Sequence, residues 1–230
     1  MKNLQEKLDL LLKKYSVETG AVLLDGETAE IDGIKTPLLS HRAKRSNQEL
    51  KKLVRDTLEG VSVMRTAVIA PKNEDVFRLL ARELDLAAFV LGRKILTVAA
   101  VQSGAALNVL AGAEGGVVCT VEISAVLPET DSEKAKHEII SRRGVALDVG
   151  VDAQLRQDSI YLFGKEEKRF TDVDFELYGL TLDEVASVRS AFECAKNKDA
   201  KERVLAAERA GRAADAARRS LTTGERQVLD

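Results

Sequence analysis

The chain has only two cysteines and two histidines in 230 residues. Cys119 and Cys194 are far apart, each inside an apolar element, so neither a disulfide framework nor a metal knuckle is expected. His41 and His137 fall in different elements and are equally poor starting points for a metal site or a Ser-His dyad. No metal ligand set and no activated thiol is therefore expected. No apolar run approaches the roughly 18 residues that a membrane span needs. Charge is balanced as well: 35 basic residues nearly cancel 37 acidic ones, with no run of five of either sign. A membrane protein and an electrostatic footprint for nucleic acid are both excluded as expectations. The N-terminus mixes charges with Leu4, Leu8, Leu11, Leu12 and Tyr15, unlike the uninterrupted apolar region of a signal peptide. Together with the scarcity of cysteine, this points to the cytoplasm.

What is present is patterned. Residues 3–17 carry apolar positions at helical spacing up to Gly20. Asp25-Gly26 and Asp32-Gly33 are turn dipeptides bracketing a short extended piece, which predicts a small hairpin. Ser46 followed by Glu49 predicts a capping box at the start of a helix running to about Leu58. Val61 to Ile69 reads as a strand broken by Pro71. The next helix starts near Asn73, faces its core with Val76, Leu80, Leu84, Ala87 and Leu91, and stops at Gly92.

From Lys94 onward the period becomes two, and strands are expected over 95–101, 105–110, 117–127, 137–141, 159–163 and 170–177. Thr181 and Glu184 predict a second capping box, followed by two helices reaching about Ser220. The fold class is α+β: an open, mostly antiparallel β-sheet with helices on one face, preceded by a short α/β N-terminal segment. The boundary is drawn at residues 1–60, a helix, small hairpin and crossover helix, and 61–230, the α+β domain.

Arg82-Glu83-Leu84-Asp85 through Gly92 resembles the Gfo/Idh/MocA oxidoreductase motif in which a histidine precedes Asp-Leu and, further on, Gly. The 107–124 and 137–145 stretches are similar to that family's paired strands and its "I-x-G-x-x-G" strand. The 206–229 stretch resembles its closing helix and last short strand, and 41–62 its crossover from the nucleotide domain. The resemblance implies the substrate and oligomerisation domain of that family, without the Rossmann half. No G-x-G-x-x-G turn and no Glu-Lys-Pro segment occurs in the sequence.

The same resemblance places the family's acid/base carboxylate and histidine at Arg78 and Arg82. Arginine stays protonated at physiological pH and cannot accept the proton of an oxidised hydroxyl. No catalytic residue is therefore expected. One reading makes Glu74, Arg78, Arg82 and Asp85 a solvated stripe of ion pairs. The other has Arg78 and Arg82, with Asp85 and His41, line the old cleft and hold an anionic ligand such as a sugar acid. No cofactor is expected, except NAD(P) supplied through a partner. The function expected is an oligomerising or partner subunit in sugar or polyol oxidoreductase metabolism, without dehydrogenase activity of its own. Its partners would be further copies joined through the open sheet face, or a full-length oxidoreductase. The alternative is an oxidoreductase-type subunit binding a sugar-like ligand.

Overall fold

The structure is a computed structural model and describes residues 2–150, 158–163, 168–171, 177 and 179–229. Helix α1 (Lys2–Lys14) turns Leu8 and Leu11 inward, where both are buried. It is followed by β1 (Val22–Asp25), β2 (Thr28–Ile31) and β3 (Ile34–Pro37), a small antiparallel sheet in the order β1-β2-β3. The single hairpin expected from the two Asp-Gly pairs is thus two hairpins sharing β2. Gly26 (φ 59°), Asp32 (φ 51°) and Gly33 (φ 77°) supply the left-handed backbone that such tight turns require. Along β1 the Gln5 side chain acts as one residue of a further strand: its amide donates to Val22 O at 2.8 Å and accepts from Leu24 N at 3.0 Å.

Leu39, itself left-handed (φ 47°), turns the chain into α2 (Ser40–Ala43), which runs on into α3 (Arg45–Asp56). The capping box expected at Ser46 and Glu49 is not formed. The helix already begins at Arg45, so Ser46 lies inside it and is buried, while Glu49 faces Lys52. Next come β4 (Val61–Pro71) and α4 (Val76–Leu91). The α4 N-cap is Asp75, whose carboxylate accepts from Phe77 N, rather than Asn73. Its end is as expected at Gly92, left-handed at φ 63°.

The chain then forms β5 (Ile95–Ser103), β6 (Ala106–Ala113), β7 (Val117–Leu127), β8 (Lys134–Ser141), β9 (Gly144–Gly150), β10 (Asp158–Phe163) and β11 (Lys168–Thr171). Gly112 lies within β6, and residues 114–116 make the turn into β7. Of the strand expected over 170–177, residues 170 and 171 lie in β11, and residues 172–176 lie outside the described residues. Helices α5 (Leu182–Asn197) and α6 (Ala200–Thr223) and the two-residue β12 (Gln227–Val228) complete the chain. The Thr181–Glu184 capping box is formed in both directions.

The main sheet has the order β11-β10-β9-β8-β4-β7-β6-β5-β12. All neighbours are antiparallel except β4 and β7, the parallel pair near its middle. One face is buried: Met64, Val68, Val98, Val109, Cys119, Val121, Ile123 and Ile139 form a single core with α3, α4 and α6. In α6 the buried residues Ala210, Ala213, Ala214 and Ala217 let its backbone lie close to the core. The chain is therefore α+β with helices on one sheet face. A second core joins α1 and the three-stranded sheet to α5 through Leu8, Ile31, Leu38, Val188 and Ala191.

Polar contacts join the two cores and close the margin of the main sheet. The Leu38 carbonyl accepts from the Ser190 hydroxyl of α5 and from Arg203 Nη1 of α6 at 3.0 Å. At the sheet margin, where β12 stops short, Ala100 N of β5 donates to Ser220 Oγ of α6 at 3.0 Å.

Candidate functional site

Helix α4 is apolar on its buried side except for two carboxylates, Glu83 and Asp85, 2% and 4% exposed. An ionised carboxylate at such depth requires cationic hydrogen-bond partners, and each has them. The turn at Leu39 brings α2 against α4, so His41 Nε2 lies 2.6 Å from Asp85 Oδ2. Arg42 grips the same carboxylate with Nε at 2.7 Å and Nη2 at 2.5 Å. Burial pushes the Asp85 carboxyl up, but the hydrogen bonds from His41 and Arg42 outweigh it and hold the group below the usual range. Asn47 secures the turn by donating to His41 O at 2.7 Å.

Glu83 faces the sheet. Its Oε2 is 2.8 Å from His137 Nε2, and His137 Nδ1 is 2.5 Å from Asp148 Oδ2. Ionised carboxylates only accept hydrogen bonds, so an imidazole between two of them carries protons on both nitrogens. His137 is accordingly an imidazolium: burial opposes the charge, but Asp148 and Glu83 overcome it and raise the ring to about 10. Glu83 is pulled the other way, down to about 2, as His137 and Arg82 override its desolvation. Arg82 closes the chain of charges with one hydrogen bond to Glu83 at 2.8 Å and two to Glu133 at 2.8 and 2.7 Å. With both ring nitrogens engaged, His137 holds charges in place and has no open position for proton transfer to a ligand.

Of the four sequence-predicted ligand candidates, His41 and Asp85 are in direct contact. Arg82 belongs to the separate Glu83 cluster. Arg78 is 55% exposed and pairs with Glu27 at 2.6 Å and, as expected from i,i+4 spacing, with Glu74 at 2.7 Å. Sequence reasoning did not single out Arg42, Glu83 or Asp148. A signal existed for Glu83, which falls three residues after Leu80 and four before Ala87, inside the apolar stripe. Both cysteine thiols are pushed up to about 12 by burial and are not nucleophiles at neutral pH. Among the described residues no cluster of His, Cys, Asp or Glu could hold a metal, and no helix is long and apolar enough to cross a membrane.

The sheet face opposite the helices is a second candidate. Register places Val63, Arg65, Ala67 and Ile69 of β4 beside Val118, Thr120, Glu122 and Ser124 of β7. Leu110 of β6, Ala99 of β5 and Val228 of β12 continue the same face. Its large apolar residues are open to water: Ile69 is 43% exposed, Leu110 54%, Val126 49%, Val101 71% and Val228 71%. Toward β8 it turns polar, with Lys134 and Lys136 and the Arg65–Glu138 pair at 3.3 Å.

The crossover helix, the mixed open sheet and the long closing helix make a fold shared with solved oxidoreductase structures. Three solved structures exemplify the likeness. An oxidoreductase domain protein from Kribbella flavida matches with TM-score 0.64 at 15% identity, over 84% of this chain and 64% of its own. Levoglucosan dehydrogenase in complex with NADH and levoglucosan matches with TM-score 0.64 at 11% identity, over 83% and 65%. An oxidoreductase from Agrobacterium radiobacter, in complex with NAD+, L-tartaric acid and magnesium, matches with TM-score 0.60 at 14% identity, over 82% and 63%. The chain thus spans under two thirds of the length of these relatives. No family model matches the sequence, and no curated protein matches it.

Proposed function

We propose that this chain is an oligomerising subunit, or the oligomerising part, of a Gfo/Idh/MocA-type oxidoreductase system acting on sugars or polyols, and that a second copy covers its open sheet face. The observation that carries this reading is the row of exposed Ile69, Val101, Leu110, Val118 and Val126 on one continuous face. A fully exposed side chain of this kind gains about 1.5–3 kcal/mol on full burial, and these, part-exposed already, would each gain a share of that; an apolar patch with a polar margin is the usual anatomy of an interface. Two copies related by a two-fold axis would present the same patch to each other.

The alternative, a sugar-acid site built on Arg78 and Arg82, has less support, because both guanidiniums already meet carboxylates of their own chain. Nicotinamide dinucleotide, in this proposal, is held by a partner or by a part of the system outside these residues. NADH alone is then expected to leave the Tm unchanged.

Sedimentation velocity at micromolar concentration tests the proposal. The chain is expected to sediment as a dimer or larger, and Leu110→Asp with Val118→Asp as a monomer with an unchanged far-UV spectrum. A monomer both alone and mixed with a full-length oxidoreductase of the same system overturns it. Association only with that oxidoreductase would replace the second copy by a heterologous partner.

A further inference from the structure

A cleft of about 540 Å³ opens between α3, the C-terminal end of α4 and α5. Small-molecule sites commonly have about 300–1,000 Å³. Its arginines are largely matched: Arg42 is gripped by Asp85, and Arg203 pairs with Asp199 at 2.9 Å. Two partly buried titratable groups on its wall are not. Lys51 of α3 and Glu193 of α5 have no ion pair within 4.0 Å among the described residues, with each other or with any third group.

Lys51 differs from its neighbour in sequence. Lys52 is 60% exposed and lies 4.0 Å from Glu49, the arrangement of an ordinary surface lysine. Lys51 is half-buried, and its Nζ rests 3.8 Å from the Phe89 ring centroid. The Arg42 guanidinium lies 5.1 Å from the same centroid, so the ring is shared between two cations and compensates neither fully. Burial first, and then the charges of Arg42 and Arg55, push the Lys51 ammonium below its usual range, against a weaker pull from Glu193. Glu193 moves the opposite way: burial, helped by Asp199, pushes its carboxyl up against the pull of Arg203, Arg189 and Lys196. A desolvated amine is a nucleophile, and a carboxyl that keeps its proton is an acid. Two such groups on one cleft wall are the pattern of a reactive site rather than of a structural ion pair.

We propose that Lys51 is the nucleophile of a carbonyl site, forming an imine with a small hydroxylated aldehyde or ketone held in this cleft, with Glu193 as proton donor and acceptor. The Nζ lone pair adds to the carbonyl carbon, the C=O π pair goes to oxygen, and one nitrogen proton follows it, giving a carbinolamine. Glu193 protonates the new hydroxyl, which leaves as water, and then takes the remaining proton from nitrogen. The sum is one carbonyl and one amine to one imine and one water, with no redox change. Gln48 and Asn197 on the wall offer amides to the hydroxyls of such a ligand, while Phe89 and Phe192 flank its carbon chain. Phe89 lies eleven residues along α4 from Arg78, roughly 16 Å at 1.5 Å per residue. The site is therefore distinct from the sugar-acid cleft considered for Arg78 and Arg82, and it does not depend on whether the sheet face pairs.

The test is reductive trapping. The full chain is treated with glyceraldehyde and cyanoborohydride near neutral pH, cleaved after glutamate and sequenced by tandem mass spectrometry, since residues 50–59 carry both Lys51 and Lys52. Each unit by which an amine is lowered gives it about ten times more free base at neutral pH. Lys51 is accordingly expected to label about tenfold faster than the more exposed Lys52, at a rate that saturates with glyceraldehyde. In denaturing urea the two should label alike. Glu193→Gln should slow Lys51 by about tenfold or more and leave Lys52 unchanged; a melting curve checks its fold, and the wild-type ratio and saturation stand without it. Lys51 labelling no faster than Lys52 in the folded chain, or a rate linear in glyceraldehyde, would overturn the proposal. An unchanged Lys51 rate in a folded Glu193→Gln variant would overturn the role of Glu193.

Discussion

Replacing His137 with glutamine removes the cation that separates Glu83 from Asp148. The glutamine amide can donate to one carboxylate but carries no charge, so Glu83, 2% exposed, keeps only Arg82 as a cationic partner. Removing one member of a buried ion pair costs about 3–5 kcal/mol because the other charge is left uncompensated. The shift of the imidazole from 6.5 to about 10 is of the same size, at about 1.4 kcal/mol for each unit.

The sign follows from the direction of that shift. A raised His contributes fully below 6.5 and loses its contribution as pH climbs toward about 10. In between, the folded chain binds one proton more than the unfolded chain. Glu83, lowered from 4.5 to about 2, contributes fully above 4.5 and loses its contribution as pH falls toward 2. The cluster thus stabilises most between about 4.5 and 6.5. Urea unfolding followed by circular dichroism, at pH 6 and pH 9, measures the effect. The gap between wild type and His137→Gln should be several kcal/mol at the lower pH and shrink by roughly 1.4 kcal/mol per unit above 6.5. A gap equal at the two pH values refutes the imidazolium assignment. So would a Glu83→Gln/His137→Gln double variant no more stable than His137→Gln alone.

Arg82→Ala and Arg78→Ala separate the two arginines of α4. The first opens the Glu83 cluster and should cost about 2–4 kcal/mol, while the second touches an exposed pair worth about 0–1 kcal/mol, so urea midpoints should differ clearly. Gly92→Ala places a Cβ in open space but at φ 63°. Its cost of about 1–2 kcal/mol would be pure backbone strain, and Gly92→Asn should recover part of it in thermal melts. Thr181→Ala removes the hydroxyl that accepts from Glu184 N and should lower stability by about 1 kcal/mol, read as faster amide exchange at the start of α5.

Much of the architecture was legible because local chemistry and tertiary structure agree in it. Strand β7 has the bounds its alternation gives, and both α4 with Gly92 and the Thr181–Glu184 box form as their residue types dictate. Ser46 and Glu49 have the right spacing for a cap, but the packing of α2 on α4 starts the helix earlier and buries the serine. The parallel register of β4 with β7 joins residues more than fifty positions apart, and no local pattern encodes it. His137 read as an isolated strand residue for the same reason. Its partners come from β9, whose bounds were not apparent, and from a carboxylate hidden in an apolar helix face. Of the candidate site, the contact between His41 and Asp85 was within reach only as a grouping, and Arg42, which completes it, was not.

The bond from Ala100 to the Ser220 hydroxyl bears on how copies of this chain can assemble. A strand at a sheet margin offers unpaired amides to any extended peptide that comes alongside. Here β12 occupies Thr97 and Val98, Leu229 N donates to Leu96 O, and Ser220 occupies the amide at Ala100. Lateral growth into a continuous intermolecular sheet is thereby blocked along this stretch of β5. Ser220→Ala would free that amide and give strand addition a foothold, so the variant is expected to aggregate more readily than the wild type on light scattering.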